Sequence, residues 1–219
     1  MRCCRAVLAG RATAACQTVL VRVFLAGASG VIGVRLVPLL IAAGHAVAGM
    51  TRSPGKVALL AGLGAEPVAC DVFDAEALAS AVAGFRPDIV LHQLTDLPDE
   101  VARIGAYGER NARIRTEGTR NLIAAAAAAR ADRVIAQSIS WELPAGGGRR
   151  VTAEHERAVL GAGGVVIRYG QFYGPGTYYE AAPPPSPRVH LDDAARQTIA
   201  ALAVPPGITM VVDDRALPR

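Results

Sequence analysis

The chain has one lysine, Lys56, in 219 residues, and its other strong bases are all arginine. Chemistry that relies on an ammonium group therefore has one place to find it. Cysteine is also sparse. Cys3, Cys4, Cys16 and Cys70 show neither the C-x-x-C spacing of a zinc or redox site nor the density of a disulfide scaffold, so they read as reduced thiols of a cytoplasmic protein. No apolar run is long enough to span a bilayer, because the alanine stretch at 124–129 is closed by Arg130. The four histidines stand singly, without metal-ligand spacing, and no metal is expected. A net charge of +4 and a pI near 9.1 come from arginines interspersed with acids rather than gathered into a stripe, which argues against nucleic acid as a partner. The first twenty residues lack acid altogether. They hold Arg2, Arg5 and Arg11 and an apolar run too broken for a signal-peptide core. Residues 1–20 are expected to be a disordered extension or the product of an upstream start, with organelle targeting as a compositional alternative.

What is present fits one compact domain. The chain is 52% hydrophobic and only 19% charged, enough to cover a central sheet on both faces. From Val21 onward, strand and helix signals alternate: "VRVFLAG", "GVIGVRLVPLLIAAG" with a bend expected at Pro38, "HAVAGMT", and a short helix opened by Ser53 and Pro54. Then follow "EPVAC", a helix capped by Asp74, "DIVLHQL", one long helix over 109–130, "RVIAQS", a shorter helix from Thr152, and "VVIRY". This alternation predicts right-handed crossovers and an α/β fold, a Rossmann-type doubly wound parallel sheet with helices on both faces. The expected domain spans 21–214, with a short substrate region from about 171 and a tail at 215–219. "AAPPPSP" must be irregular, "LDDAARQTIAALA" reads as a helix, and "ITMVV" as a last strand.

The functional signal lies in the first strand-to-helix turn, "LAGASGVIG". Gly27, Gly30 and Gly33, with Ser29, Val31 and Ile32 between them, have the spacing that permits a tight turn, close approach of a pyrophosphate and close helix packing. The helix start offers N–H groups and partial positive charge to phosphates.

Here the sequence resembles the extended and atypical short-chain dehydrogenase/reductase superfamily, in particular its NAD-dependent epimerase/dehydratase group. "GASGVIG", "CDVFD", "TEGTRNLIAAA", "VIAQSIS", "IRYGQFYGPG" and "VHLDDAA" occur in that group's order. Nineteen positions after Gly33, where an NAD-selective site places an acid, stands Arg52, flanked by Thr51 and Ser53. A guanidinium and hydroxyls suit a 2′-phosphate, so the expected cofactor is NADP, with NAD also admitted. The resemblance implies that Asp71 and Val72 flank the adenine and that His92, Gln93 and Leu94 lie beside the ribose and nicotinamide.

The resemblance also implies a serine or threonine with a Tyr-x-x-x-Lys pair, and here the chain departs from it. Ser138 holds the serine position, but the segment after it contains no tyrosine and no lysine. The helix asparagine expected three residues before "GT" is replaced by Arg115, with Asn111 one turn earlier. Tyr169 and Tyr173, in the loop that borders the nicotinamide in relatives, are the substitute proton donors, and the run "EHER" at 154–157 reads as a solvated helix face. The substrate lobe is reduced to a few residues after Tyr179. The expected function is an NADP-preferring oxidoreductase of a small carbonyl or hydroxyl compound. The alternative is a non-catalytic NADP sensor or degenerate member. A small-molecule substrate is expected, a homodimer is admitted, and no membrane partner is expected.

Overall fold

The structure, a computed structural model, describes residues 20–98 and 100–213. The extension expected at 1–20, save Leu20, and the tail expected at 215–219 lie outside the described residues.

The strand β1 (Arg22–Ala26) is buried along Val23, Phe24, Leu25 and Ala26. Alternate side chains on a strand point to opposite faces, so a strand buried at every position must be covered on both sides. Val23 and Leu25 join one core with Leu36, Leu40 and Ile135, while Phe24 and Ala26 join a second with Met50, Leu78 and Leu122. Burying each large side chain of this kind contributes about 1.5–3 kcal/mol, which makes the two layers the main source of stability.

Around β1 the chain winds both ways. On one side it runs through α1 (Gly33–Ala42), β2 (Ala46–Thr51), α2 (Val57–Gly62) and β3 (Glu66–Ala69). After α3 (Ala75–Phe85) it returns to the other side of β1 as β4 (Ile89–His92), then α4 (Gly108–Arg113), α5 (Thr119–Ala128), β5 (Arg133–Ile139), α6 (Gly147–Gly161) and β6 (Val165–Tyr169). A small parallel pair, β7 (Gln171–Tyr173) with β8 (Arg188–His190), leads to α7 (Leu191–Ala201), and β9 (Gly207–Val211) closes the sheet beside β6. The seven strands are parallel in the order β3-β2-β1-β4-β5-β6-β9. The order reverses between β1 and β4, where such sheets open a crevice at their carboxyl ends. The expected doubly wound fold is therefore what the chain forms.

Local expectations fared unevenly. Asp74 caps α3, accepting from the Ala77 N–H at 3.0 Å. Ser53 precedes a 3₁₀ turn (Pro54–Lys56) but makes no side-chain cap; instead its own N–H donates to Thr51 Oγ1 at 3.2 Å. Pro38 sits inside α1 on its exposed side, where a missing N–H leaves only one helical bond unmade. The single helix expected over 109–130 is interrupted by a π-helical turn (Ile114–Gly118) between α4 and α5. That turn rotates the helix so that Arg115 and Thr119 face inward, and Gly118 brings the backbone within contact of Val72, where an added Cβ would lie 3.3 Å from its Cγ1. Helix α6 begins at Gly147 rather than Thr152, because Arg149 and Arg150 are good helix formers and extend it. The β7–β8 pair has no counterpart in the sequence reading. Three-residue strands carry too few residues to show alternation.

Candidate functional site

The turn after β1 is shaped by its glycines. Gly27 has φ +92°, and a Cβ there would lie 2.8 Å from the Gln93 carbonyl carbon. A Cβ on Gly33 would lie 2.3 Å from the Gly27 carbonyl oxygen. The first and third glycines are thus required by the protein's own backbone. Gly30 differs, because a Cβ there meets only the Gly27 oxygen at 3.3 Å and otherwise faces open space. The α1 N-terminus has no side-chain cap and no acid in its first turn, and the amides of Val31 and Ile32 have no backbone acceptor among the described residues. An uncapped helix end with outward N–H groups attracts an anion. A dinucleotide pyrophosphate fits this turn.

Around the turn, Ser29 Oγ and Thr51 Oγ1 share a 2.8 Å hydrogen bond, and Lys56 Nζ reaches the Ser29 carbonyl at 3.4 Å. Arg35 ties the turn to the far side of the site. It donates to the Val31 carbonyl at 2.9 Å, to the Pro175 carbonyl at 2.7 Å and to Asp192 Oδ1 at 2.8 Å. The "YGPG" loop is therefore strapped to the glycine turn, and the Tyr178 hydroxyl donates to the Pro98 carbonyl beyond it.

Arg52 stands at the end of β2 as expected, but it is not alone. Its Nη1 and Nη2 donate to Asp96 at 3.3 and 3.1 Å, and Arg110 donates to the same carboxylate through Nε and Nη2, both at 3.0 Å. Asp96 is buried, and its own N–H donates to Asn111 Oδ1 at 3.1 Å. Burial alone would raise the Asp96 carboxyl, but the bonds from Arg52 and Arg110 outweigh it and hold it below the usual carboxylate range. Because β2 and β4 flank β1, the Arg52–Asp96 pair crosses above the glycine turn. Asp71 is exposed and forms an Asx turn, accepting from the Phe73 N–H at 2.9 Å, while Val72 is buried with its carbonyl held by Asn121.

At the end of β4 the side chains form a closed circuit. The Leu94 N–H donates to His92 Nδ1 at 3.2 Å, so His92 carries its proton on Nε2 and donates to Thr119 Oγ1 at 3.2 Å. His155 Nε2 donates to the Gln137 carbonyl at 2.9 Å, which leaves its Nδ1 to accept from Thr119 at 2.7 Å. The chain begins at an amide and ends at a carbonyl. It moves no proton to the crevice and acts as a clamp between β4, α5, α6 and β5. Burial, then the charge of Arg115, lowers His155 to about 4, and burial followed by His155 and Arg115 takes His92 well below its ordinary value. Gln93 donates to the Tyr169 hydroxyl at 3.2 Å, and the Leu94 carbonyl accepts from Gln137 at 3.2 Å.

The three candidate proton donors are held by different partners. Ser138 is buried and donates to Glu156 Oε1 at 2.6 Å; Arg168 grips the same carboxylate through Nε at 2.9 Å and Nη2 at 2.5 Å. Burial would raise the Glu156 carboxyl, but the bonds from Arg168 and Ser138 lower it. Tyr169 is a core residue whose hydroxyl bonds Thr198 at 2.6 Å, and burial pushes it up to about 12. Tyr173 donates to Asp213, which raises it, and packs edge-on against His190 with ring centroids 5.2 Å apart. The solvated face expected at "EHER" is wrong for two of its residues. His155 and Glu156 are 1% and 7% exposed, because with Val159 they form the buried side of α6. That i, i+1, i+4 spacing was the available signal. Asp96, Arg110, Thr119 and Arg35 gave none, since their partners are distant in sequence. No group of described residues could hold a metal ion, and no helix among them is long and apolar enough to cross a membrane.

The glycine turn has counterparts in known proteins. The sequence signature of the NAD(P)H-binding family matches residues 27–154. A Streptomyces protein, 3-diazoavenalumate denitrifying reductase, is 35% identical over 246 positions, covering 90% of this chain and 77% of the relative. Among solved structures, the UDP-glucose 4-epimerase of Thermus thermophilus in complex with NAD aligns with a TM-score of 0.71 at 22% identity, over 87% of this chain and 77% of that one. The UDP-glucose 4-epimerase of Thermotoga maritima with UDP-glucose aligns with a TM-score of 0.72 at 16% identity, over 87% and 76%. These likenesses support the fold of the epimerase/dehydratase group that the motifs suggested.

Proposed function

The chain belongs to the NAD(P)H-binding family, and from that premise we propose that it is an NADPH-preferring reductase of a small electrophile that needs no proton from the protein. The observation that carries the reading is the uncapped α1 N-terminus behind Gly30, at the point where the strand order reverses. Val31 and Ile32 offer amides to a pyrophosphate, and Arg52 offers guanidinium N–H groups to a 2′-phosphate. When bound, the reduced dinucleotide supplies hydride.

The state of the hydroxyls narrows the substrate. Reduction of a carbonyl to an alcohol adds a proton as well as hydride, and a protein that promotes it aims an acid at the oxygen. Here the Ser138 hydroxyl is engaged as a hydrogen-bond donor to Glu156, Tyr169 is held by Thr198, the Tyr173 hydroxyl donates a hydrogen bond to Asp213, and the two buried histidines form a closed clamp. This favours an acceptor that is already electron-poor. An arenediazonium is one such acceptor: Ar–N₂⁺ and H⁻ give Ar–H and N₂, with charge and atoms balanced and no proton added. The Streptomyces relative, named for removing nitrogen from a diazo acid, supports the same class.

The test compares NADPH oxidation by the full chain with an arenediazonium carboxylate and with a panel of aldehydes and ketones, each against a protein-free control. Consumption with release of dinitrogen, at about ten times the rate of the best carbonyl or more, is expected. A faster carbonyl reaction contradicts the substrate class. Tight NADPH binding with no oxidation by any acceptor replaces the enzyme with a non-catalytic sensor.

A further inference from the structure

The cavity beside Arg52 is the feature that cofactor binding at the glycine turn does not by itself explain. It measures about 240 Å³ and is lined by Arg52, Asp96, Glu100, Arg103, Tyr107 and Arg110. Arg110 is held in place twice, by the paired bonds to Asp96 and by stacking over the Tyr107 ring at 4.5 Å. Asp96 is anchored from both sides of the crevice, by Arg52 at the end of β2 and by Arg110 and Asn111 of α4.

A count of donors shows what this arrangement can take. Each guanidinium has five N–H groups and uses two of them on Asp96, so both Arg52 and Arg110 keep donors for another anion. Their side chains are each 51% exposed, whereas Asp96 is 7% exposed. The carboxylate therefore has both oxygens occupied and little surface, and it cannot serve as the acid that accepts ribose hydroxyls. The cavity is lined by three arginines, Arg52, Arg103 and Arg110, against two acids, the occupied Asp96 and Glu100. Three cations against two carboxylates leave a net positive charge, and an oxyanion with several acceptor oxygens is the matching group.

We propose that Arg110, with Arg52, forms the subsite for the 2′-phosphate of a phosphorylated dinucleotide, and that Asp96 is the fixed post that spaces the two guanidinium groups. This rests on the NADPH preference proposed above and extends it to an arginine from a different element, 58 residues further along the chain. Asp96 keeps the two forks splayed before the ligand arrives, so less side-chain freedom is lost on binding.

Titration calorimetry on the full chain with 2′,5′-ADP and 5′-AMP isolates the subsite from the nicotinamide. The native chain should bind 2′,5′-ADP about tenfold tighter than 5′-AMP, or more, and Arg110→Gln should remove most of that preference while leaving 5′-AMP within about twofold. Arg110→Lys keeps the charge but not the paired N–H geometry and should fall between the two. If Arg110→Gln does not fold by circular dichroism, Arg110→Lys decides alone: a reduced preference supports the subsite and an unchanged one overturns it. A native preference that survives intact in Arg110→Gln overturns the role of Arg110 and leaves the NADPH reading standing. Equal binding of the two nucleotides by the native chain overturns the NADPH reading itself, and the subsite with it.

Discussion

Arg52 was legible in the sequence because its distance from Gly33 is set by one helix and one strand, both of regular length. What the sequence could not show is that its charge is shared. Asp96 lies 44 residues away and Arg110 a further 14, so their meeting depends on how β2 and β4 flank β1. Replacing Arg52 by Asp puts a second carboxylate beside Asp96 and removes one of its two partners. NADPH affinity measured by calorimetry should fall about tenfold or more, with NADH unchanged or improved. An unaltered NADPH affinity would take Arg52 out of the site. Ser138 was legible in the same way, by its place after a β-rich run, and its partner was missed for a physical reason. A glutamate in a run of four polar residues looks solvated until Arg168, from the neighbouring strand, neutralises it.

At the scale of elements, the glycine turn and the histidine clamp make separable predictions. Gly30→Ala adds a methyl that meets only one oxygen at 3.3 Å, so the variant should melt within a few degrees of the native chain and yet lose about tenfold or more in NADPH affinity, because the methyl stands where the phosphates approach. Gly33→Ala places its methyl 2.3 Å from a backbone oxygen and should lower the melting temperature as well. Equal stability and equal affinity in both variants would show that the turn holds no ligand. The clamp was invisible in the sequence because the π-helical turn that delivers Thr119 to both histidines adds one residue to a helix that reads as continuous. It has a pH signature. His92 and His155 have folded pKa values below the ordinary 6.5, so their contribution to stability is complete above that value and is lost as pH falls toward about 4 for His155. Asp96 and Glu156, held low, add no slope above about pH 5, where both states keep them ionised. Denaturant melts between about pH 7 and 5 should therefore show falling stability, approaching roughly 3 kcal/mol for one histidine over its whole range. A flat profile would mean that the clamp also closes with charged imidazoles.

For the whole molecule, the parallel sheet followed from the alternation of strand and helix signals, and the crevice followed from the sheet order. The contacts that bound the crevice did not. Arg35 joins the glycine turn to Pro175 and to Asp192, and Tyr178 joins the same region to Pro98; each spans 80 or more residues and depends on the β7–β8 pair, too short to be seen in the sequence. The central claim is that this crevice seats a phosphorylated dinucleotide, with its pyrophosphate at the amides behind Gly30 and its 2′-phosphate at Arg52. A crystal structure of the full chain soaked with NADPH tests it most directly. The account predicts pyrophosphate oxygens within hydrogen-bond distance of the Val31 and Ile32 amides and the 2′-phosphate within hydrogen-bond distance of the Arg52 guanidinium. NADPH bound away from the glycine turn, or seated there with its 2′-phosphate turned to solvent and Arg52 still closed on Asp96 alone, would contradict it.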